Sequence, residues 1–226
     1  MRRVLVIAAH PDDEVLGCGA MMAKYSRQGV KFMVLFIAEG SSCRYADPAC
    51  ADSVAAIAAR TAQAVKALAI LGVQEYVFND LPCGRLDQVP VIEINKAIEQ
   101  AIRRFDPDTV LTHSALDANN DHKIVCNATI MATRPGAQNR VARLLSYEVL
   151  SSSEWAFSQV FAPTSFEQVE ERDLALKWQA LAAYETEVKG YPFPRSEHGV
   201  RAQAMNRGMQ AGVALAEAFY LIREFR

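Results

Sequence analysis

Val4-Leu5-Val6-Ile7-Ala8-Ala9-His10-Pro11-Asp12-Asp13-Glu14 is an unbroken apolar run that ends abruptly in one imidazole and three carboxylates. The apolar half has the length and continuous character of a strand covered on both faces, as in the parallel sheets of α/β proteins. Ligands in open α/β sheets collect outside the carboxyl ends of such strands, so the polar half falls where a site is expected. Neighbouring carboxylates repel one another and lose hydration when enclosed, and a bound divalent cation relieves both costs.

Outward from this stretch, strand and helix patterns alternate. Helical spacing over 17–28 stops at Gly29, and the apolar strand 31–37 is closed by Glu39-Gly40. A polar loop over 41–53 feeds an Ala-rich helix over 55–71. A short strand over 75–78, a helix over 91–105, a strand over 109–112, a helix over 121–133 and a strand over 144–150 continue the pattern. The last third reads as two amphipathic helices, 170–188 and 200–219, joined by a Pro- and Gly-containing loop. The expectation is a three-layer α/β sandwich with a mostly parallel sheet and a helical C-terminal extension.

Composition narrows the function classes. A chain of 226 residues, 51% apolar and 8% aromatic, suits one domain over 1–226 with a largely aliphatic core. A formal charge of −2 gives no global reason to expect nucleic acid or an anionic membrane as partner. The basic Met1-Arg2-Arg3 precedes an apolar run too short for a membrane span and ill-suited to a signal peptide, so a cytoplasmic location is expected. Homo-oligomerisation is left open. The five cysteines are scattered with no Cys-x-x-Cys pair, which argues against a disulfide framework or a thiolate zinc site and suits buried, small apolar residues. Any metal must then use His and carboxylate.

The second cluster, His113-Ser114-Ala115-Leu116-Asp117-Ala118-Asn119-Asn120-Asp121-His122, follows the strand ending at Thr112. Both clusters leave carboxyl ends of parallel strands and therefore share an edge of the sheet. His10, Asp13 and His122 would form a two-histidine, one-carboxylate set with open positions, as a hydrolytic zinc site requires. The same set suits ferrous iron. Asp12, beside Asp13 but pointing elsewhere, is free to act as a base on water. A phosphoacceptor receiver domain also places paired aspartates after its first strand, but has about half this length and no use for His10 and His122. Gly17-Cys18-Gly19 half-matches a dinucleotide fingerprint but lacks the third glycine, and the preceding carboxylates would repel pyrophosphate. The competing class is a non-catalytic metal- or nucleotide-binding α/β protein.

The motif Ala9-His10-Pro11-Asp12-Asp13-Glu14 with Gly17-Cys18-Gly19, together with Thr112-His113 through Asp121-His122, resembles the PIG-L/LmbE-like zinc-dependent N-deacetylases. The likeness extends to Arg60, Gly84-Arg85-Leu86-Asp87, Thr133-Arg134-Pro135, the segment Glu148 to Trp155, Pro194-Arg195-Ser196 and Glu217-Ala218-Phe219. It implies a Rossmann-like fold and removal of an N-acetyl group from an amino sugar or nucleotide sugar. It also implies zinc on His10, Asp13 and His122, with Asp12 as general base. Arg60 and Arg134 become candidate substrate contacts on the same ground, whereas Arg195 reads as a surface ion-pair partner and Trp155 as packing. Two departures stand out. Asn119 occupies a position where several members carry a histidine that assists the intermediate or the leaving amine; Asn119 can hold substrate but cannot deliver a proton. Proton delivery then falls to Asp12, with His113 or Asp117 as alternatives. Cys83 stands where related sequences often place an acid.

Overall fold

Strand β1 (Arg3–Ala8) is apolar on both faces and therefore occupies the middle of the sheet. Val4, Val6 and Ala8 enter one core layer while Leu5, Ile7 and Ala9 enter the other, following the two-residue period of a strand. The computed structural model describes residues 1–136 and 141–225. The chain continues through α1 (Asp13–Ser26), β2 (Lys31–Ala38), α2 (Ala51–Ile70), β3 (Glu75–Leu81), α3 (Val91–Phe105), β4 (Thr109–His113), α4 (Asn120–Ala132) and β5 (Arg143–Tyr147). It closes with β6 (Ser165–Gln168), α5 (Glu171–Ala182), α6 (Glu197–Ala211) and β7 (Ala216–Glu224). The sheet order is β3-β2-β1-β4-β5-β7-β6, with β1 to β5 parallel and β7 antiparallel to both of its neighbours.

Helices cover both faces, which gives the expected three layers and mostly parallel sheet. Residues of α1, α2, α5 and α6 build one core cluster and those of α3 and α4 the other. The chain first grows outward from β1 through β2 to β3, then crosses back to β4 on the other side of β1. That reversal opens a crevice at the carboxyl ends of β1 and β4. Among the described residues α2 is the one helix long and apolar enough to cross a bilayer. In this fold it packs on α5 and carries Arg60 to the crevice.

The C-terminal third departs from the sequence reading. The helix expected over 200–219 ends at Ala211, where Gly212 takes a φ of +73° that a glycine adopts without strain. Ala216–Glu224 is instead a strand, because the open edge of β5 supplies hydrogen-bond partners that outweigh the helical preference of Ala-Glu-Ala. Strand β6 was not legible at all. The helix expected over 170–188 stops at Ala182, so the extension is helical only in part.

Helix α1 begins four residues earlier than expected, at Asp13, and is broken at Cys18 (φ −148°, ψ 23°). The freed N–H groups of the restarted helix are not orphaned: the buried Glu217 carboxylate accepts from Ala20 at 3.0 Å and Met21 at 2.7 Å, and Lys177 Nζ neutralises it at 2.6 Å. Gly17, just before the break, lies flush against the fully buried ring of Tyr147, whose hydroxyl donates to the Ile7 carbonyl at 2.7 Å. A Cβ at Gly17 would overlap the ring. Gly17→Ala should therefore destabilise by about 1–3 kcal/mol, the usual cost of overpacking, read as a lower midpoint in urea; an unchanged midpoint would refute the tight helix-to-sheet contact.

Candidate functional site

The crevice is a cleft of about 160 Å³ lined by His10, Asp12, Asp13, Arg44, Arg60, Asn119, His122, Glu187, Arg195 and the two thiols of Cys43 and Cys83. Its floor is the turn after β1. The His10 backbone N–H donates to Asp13 Oδ2 at 2.8 Å, folding the turn so that Asp13 opens α1, where a carboxylate is favoured by the exposed helix N–H groups. Asp12 takes a φ of +118°, a conformation costly for a residue with a Cβ and of the kind that clusters at functional sites. That twist turns the side chains of Asp12 and Asp13 in different directions.

Asp13 gathers the imidazoles. His10 Nδ1 lies 3.4 Å and His122 Nε2 3.3 Å from Asp13 Oδ2, and the three ligand atoms fall within 4.8 Å of one another. The far nitrogen of each ring faces a second carboxylate: His10 Nε2 is 2.9 Å from Asp121 Oδ2, and His122 Nδ1 is 3.2 Å from Asp117 Oδ1. The His10–Asp121 hydrogen bond is the outer-shell arrangement that fixes the tautomer of a metal-binding histidine, and the Asp117 carboxylate stands close behind His122. Burial alone would lower both imidazoles, but the carboxylates push His10 up to about 10 and His122 up to about 9. Burial would likewise raise Asp13, yet the flanking His122 and His113 hold it well below the usual carboxylate range. The acids thus draw positive charge to this point, here as imidazole protons, and the donor set of two nitrogens and one oxygen fits a divalent cation that would take the place of those protons.

A further group, His10, Cys83 and Asp121, also has ligand atoms within 4.8 Å. Its oxygens are already engaged: besides His10, Asp121 accepts from Gly84 N–H at 2.6 Å and Leu86 N–H at 3.2 Å. The His10, Asp13 and His122 set, in which each imidazole has a second carboxylate behind it, is the better cradle.

Asp12 sits beside that set. Arg195 Nη1 approaches its Oδ2 at 2.5 Å and Arg60 Nη2 the same oxygen at 3.2 Å, so the closest approach of both guanidinium groups is to Oδ2. Burial raises the Asp12 carboxyl, and Arg195 and Arg60 only partly offset this. Glu187 ties Arg60, Arg44 and Arg195 together, the last two at 2.8 Å and 3.2 Å. Burial pushes Glu14 up to about 8; it receives the Tyr184 hydroxyl at 2.6 Å and the Asp12 N–H at 2.9 Å.

Several expected residues are placed differently from the sequence reading. His113 does not line the cleft: its Nε2 accepts the Ala9 N–H at 2.8 Å, its ring stacks on His122 at 4.0 Å, and burial beside His122 lowers it to about 3. Held neutral, it has no proton to deliver near neutrality. Asp117 lies beneath His122, bonded to Ser152 and Ser153; against the effect of burial, His122 and these hydroxyls pull it down to about 2. Asn119 lines the cleft and caps α4, its side chain accepting the Asp121 N–H at 2.9 Å. Arg134 is half exposed beyond the far end of α4, near Glu99, roughly 18 Å along the chain's helical rise from His122. Arg60 is brought in, but onto Asp12. Arg195, read as a surface partner, reaches Asp12 as well, and Trp155, read as packing, is half exposed. Glu187 carried no signal that sequence reasoning could use, and Ser151–Ser153 entered only as part of the resembling segment Glu148 to Trp155, with no role attached.

The fold and cleft define a three-layer α/β protein with a candidate cation site at the switch point of its sheet. The chain belongs to the PIG-L family, described as GlcNAc-PI de-N-acetylase, whose model matches residues 5–133. It is 27% identical over 188 residues to the uncharacterized deacetylase YaiS of Escherichia coli K12, covering 81% of this chain and 90% of that protein. Its fold matches that of N,N'-diacetylchitobiose deacetylase from Pyrococcus horikoshii with a TM-score of 0.79 at 20% identity, over 98% of this chain and 84% of that one. It also matches GalB, the 4-carboxy-2-hydroxymuconate hydratase from Pseudomonas putida KT2440, with a TM-score of 0.78 at 21% identity, over 100% and 98% of the two chains. Fold alone therefore does not choose the reaction.

If the second carboxylates orient the two imidazoles, Asp121→Asn and Asp117→Asn should each weaken cobalt or zinc binding by about 10–100-fold, measured by titration of the metal-free protein. Unaltered affinity in both variants would remove them from that role.

Proposed function

We propose that the protein, a single deacetylase domain over 1–226, removes the N-acetyl group from an N-acetylglucosamine-type amino sugar or sugar conjugate, releasing acetate and a free amine. The observation that carries this reading is the convergence of His10, Asp13 and His122 beside the Asp12 carboxylate in one cleft. Membership of a deacetylase family supports a hydrolase acting on an amide. Zinc is the proposed ion, and ferrous iron suits the same donors. Three protein ligands at the edge of a cleft leave positions open, which favours catalysis over a purely structural ion, for which a closed fourth ligand is usual.

A bound divalent ion there would lower the pKa of a water toward about 7 and polarise the acetamide carbonyl. The Asp12 carboxylate removes the water's proton. Arg195 and Arg60 on Oδ2 fix the orientation of that carboxylate, while its enclosure raises its affinity for the proton it must take. The amine leaves only when protonated, and Asp12 is the group placed to return the proton: it lines the cleft, whereas His113 accepts the Ala9 N–H and Asp117 is held by Ser152 and Ser153 behind His122. Asn119 at the rim offers a neutral amide to substrate.

The test is a screen of N-acetylated amino sugars and nucleotide sugars with zinc-loaded protein, scoring acetate and free amine. For the substrate found, Asp12→Asn should keep its zinc and lose at least about a hundredfold in turnover, because the amide cannot take a proton. Near-normal turnover would remove Asp12 as the base. In the same assay Arg134→Ala should leave kcat and KM within twofold or so of the parent, as expected for a surface ion pair, whereas a large rise in KM would return Arg134 to the substrate site.

A further inference from the structure

The cleft wall carries two thiols that the proposed hydrolysis does not use. Cys43 lies on the loop between β2 and α2 and Cys83 on the loop after β3, yet their sulfurs are 3.2 Å apart. One buried carboxylate holds the two loops together: Glu39 accepts the N–H of Ser41 at 2.6 Å and of Ser42 at 2.9 Å through Oε2, and that of Cys83 at 2.8 Å through Oε1. Gly84, at a φ of +70°, brings its backbone so close that a Cβ there would lie 3.1 Å from the Cys43 Cβ. The pair is asymmetric, since Cys43 is exposed and Cys83 is buried. Cys43 is thus the member of the pair with the greater access to solvent.

Cys83 is also wired to the candidate cation site. Its sulfur lies within 4.8 Å of the ring nitrogen of His10 and a carboxylate oxygen of Asp121, and the next residue, Gly84, donates its N–H to the same Asp121 oxygen that holds His10. Any shift of the 83–84 backbone is therefore felt at a histidine proposed to bind the ion.

We propose that Cys43 and Cys83 form a redox modification site, a dithiol that a peroxide closes into a disulfide, and that closure loosens the hold on the metal through Asp121 and His10. The metal clause rests on the functional reading above; the dithiol clause does not. The Cys43 sulfur attacks a peroxide oxygen, the O–O bond breaks, and one water leaves with the thiol proton, giving the sulfenic acid. The Cys83 sulfur then attacks that sulfur, the S–O bond breaks, and a second water leaves. The two sulfurs supply the two electrons that reduce the peroxide. The new bond needs about 2.05 Å between sulfurs, so the two sulfurs must approach from their present 3.2 Å, and whatever side-chain rotation does not supply falls on the backbone of the two loops.

The experiment treats the full-length protein with hydrogen peroxide, then measures free thiols under denaturing conditions, tryptic peptides by mass spectrometry, and cobalt affinity of the metal-free protein before and after. The expected result is loss of two thiols, a peptide of residues 32–44 joined to one of residues 67–85, cobalt binding weakened about tenfold, in line with disturbed outer-shell contacts, and recovery of both on reduction with dithiothreitol. Cys43→Ser and Cys83→Ser should each abolish the joined peptide and the affinity change, while Cys50→Ser should retain both. Five free thiols after treatment, or Cys43 driven to the sulfinic acid with no joined peptide, would overturn the dithiol. A joined peptide with unchanged cobalt affinity would overturn the link to the metal, and neither outcome depends on finding a substrate.

Discussion

The buried carboxylate of Asp13 is the constraint around which the site is built. Enclosed at the end of β1 with Asp12 and Glu14 as neighbours, its charge must be balanced within hydrogen-bonding range. Three imidazoles crowd its Oδ2: His10 from the turn after β1, His113 from the carboxyl end of β4 and His122 from the first turn of α4. The outward nitrogens of His10 and His122 meet Asp121 and Asp117, and those acids are in turn held by backbone N–H groups and serine hydroxyls. Charge thus alternates outward from Asp13, and each layer orients the one inside it.

The scaffold's irregular features serve this arrangement. Helix α1 must start at Asp13 to present its carboxylate, yet must also pass close to Tyr147, and the break at Cys18 lets both conditions hold. Glu217 on β7 repairs the break, so the last strand of the chain, far away in sequence, supports the first helix. The 187–195 segment does the same for Asp12, whose orientation is set by Arg195 and by the Glu187 that gathers three arginines. The C-terminal third therefore supplies supports rather than members of the candidate ligand set.

This division explains what was legible in the sequence. Val4 to Ala9 announced a doubly covered strand through its unbroken apolar run, and the alternation through β5 followed from local periodicity and glycine stops. His10, Asp13 and His122 could be paired because parallel strands share a carboxyl edge, a rule of topology that needs no coordinates. Asp121 stood in the same dense loop but gave no sign that it would face His10, since orientation depends on where α4 begins. Strand β7 was hidden because Ala216 to Ala218 prefer helix and only the neighbouring strands decide otherwise. Arg195 and Glu187 were hidden because charged residues in a loop look like surface until tertiary packing buries them. Cys43 and Cys83, 40 positions apart, could not be paired without knowing that Glu39 joins their loops.

The most direct test of this account is X-ray absorption at the zinc edge of the protein loaded with one equivalent of zinc. Two imidazole nitrogens at about 2.0–2.1 Å with oxygen at a similar distance, and no sulfur, are predicted for His10, Asp13 and His122. A sulfur shell at about 2.3 Å would place the ion with Cys83 instead and contradict the central role of Asp13.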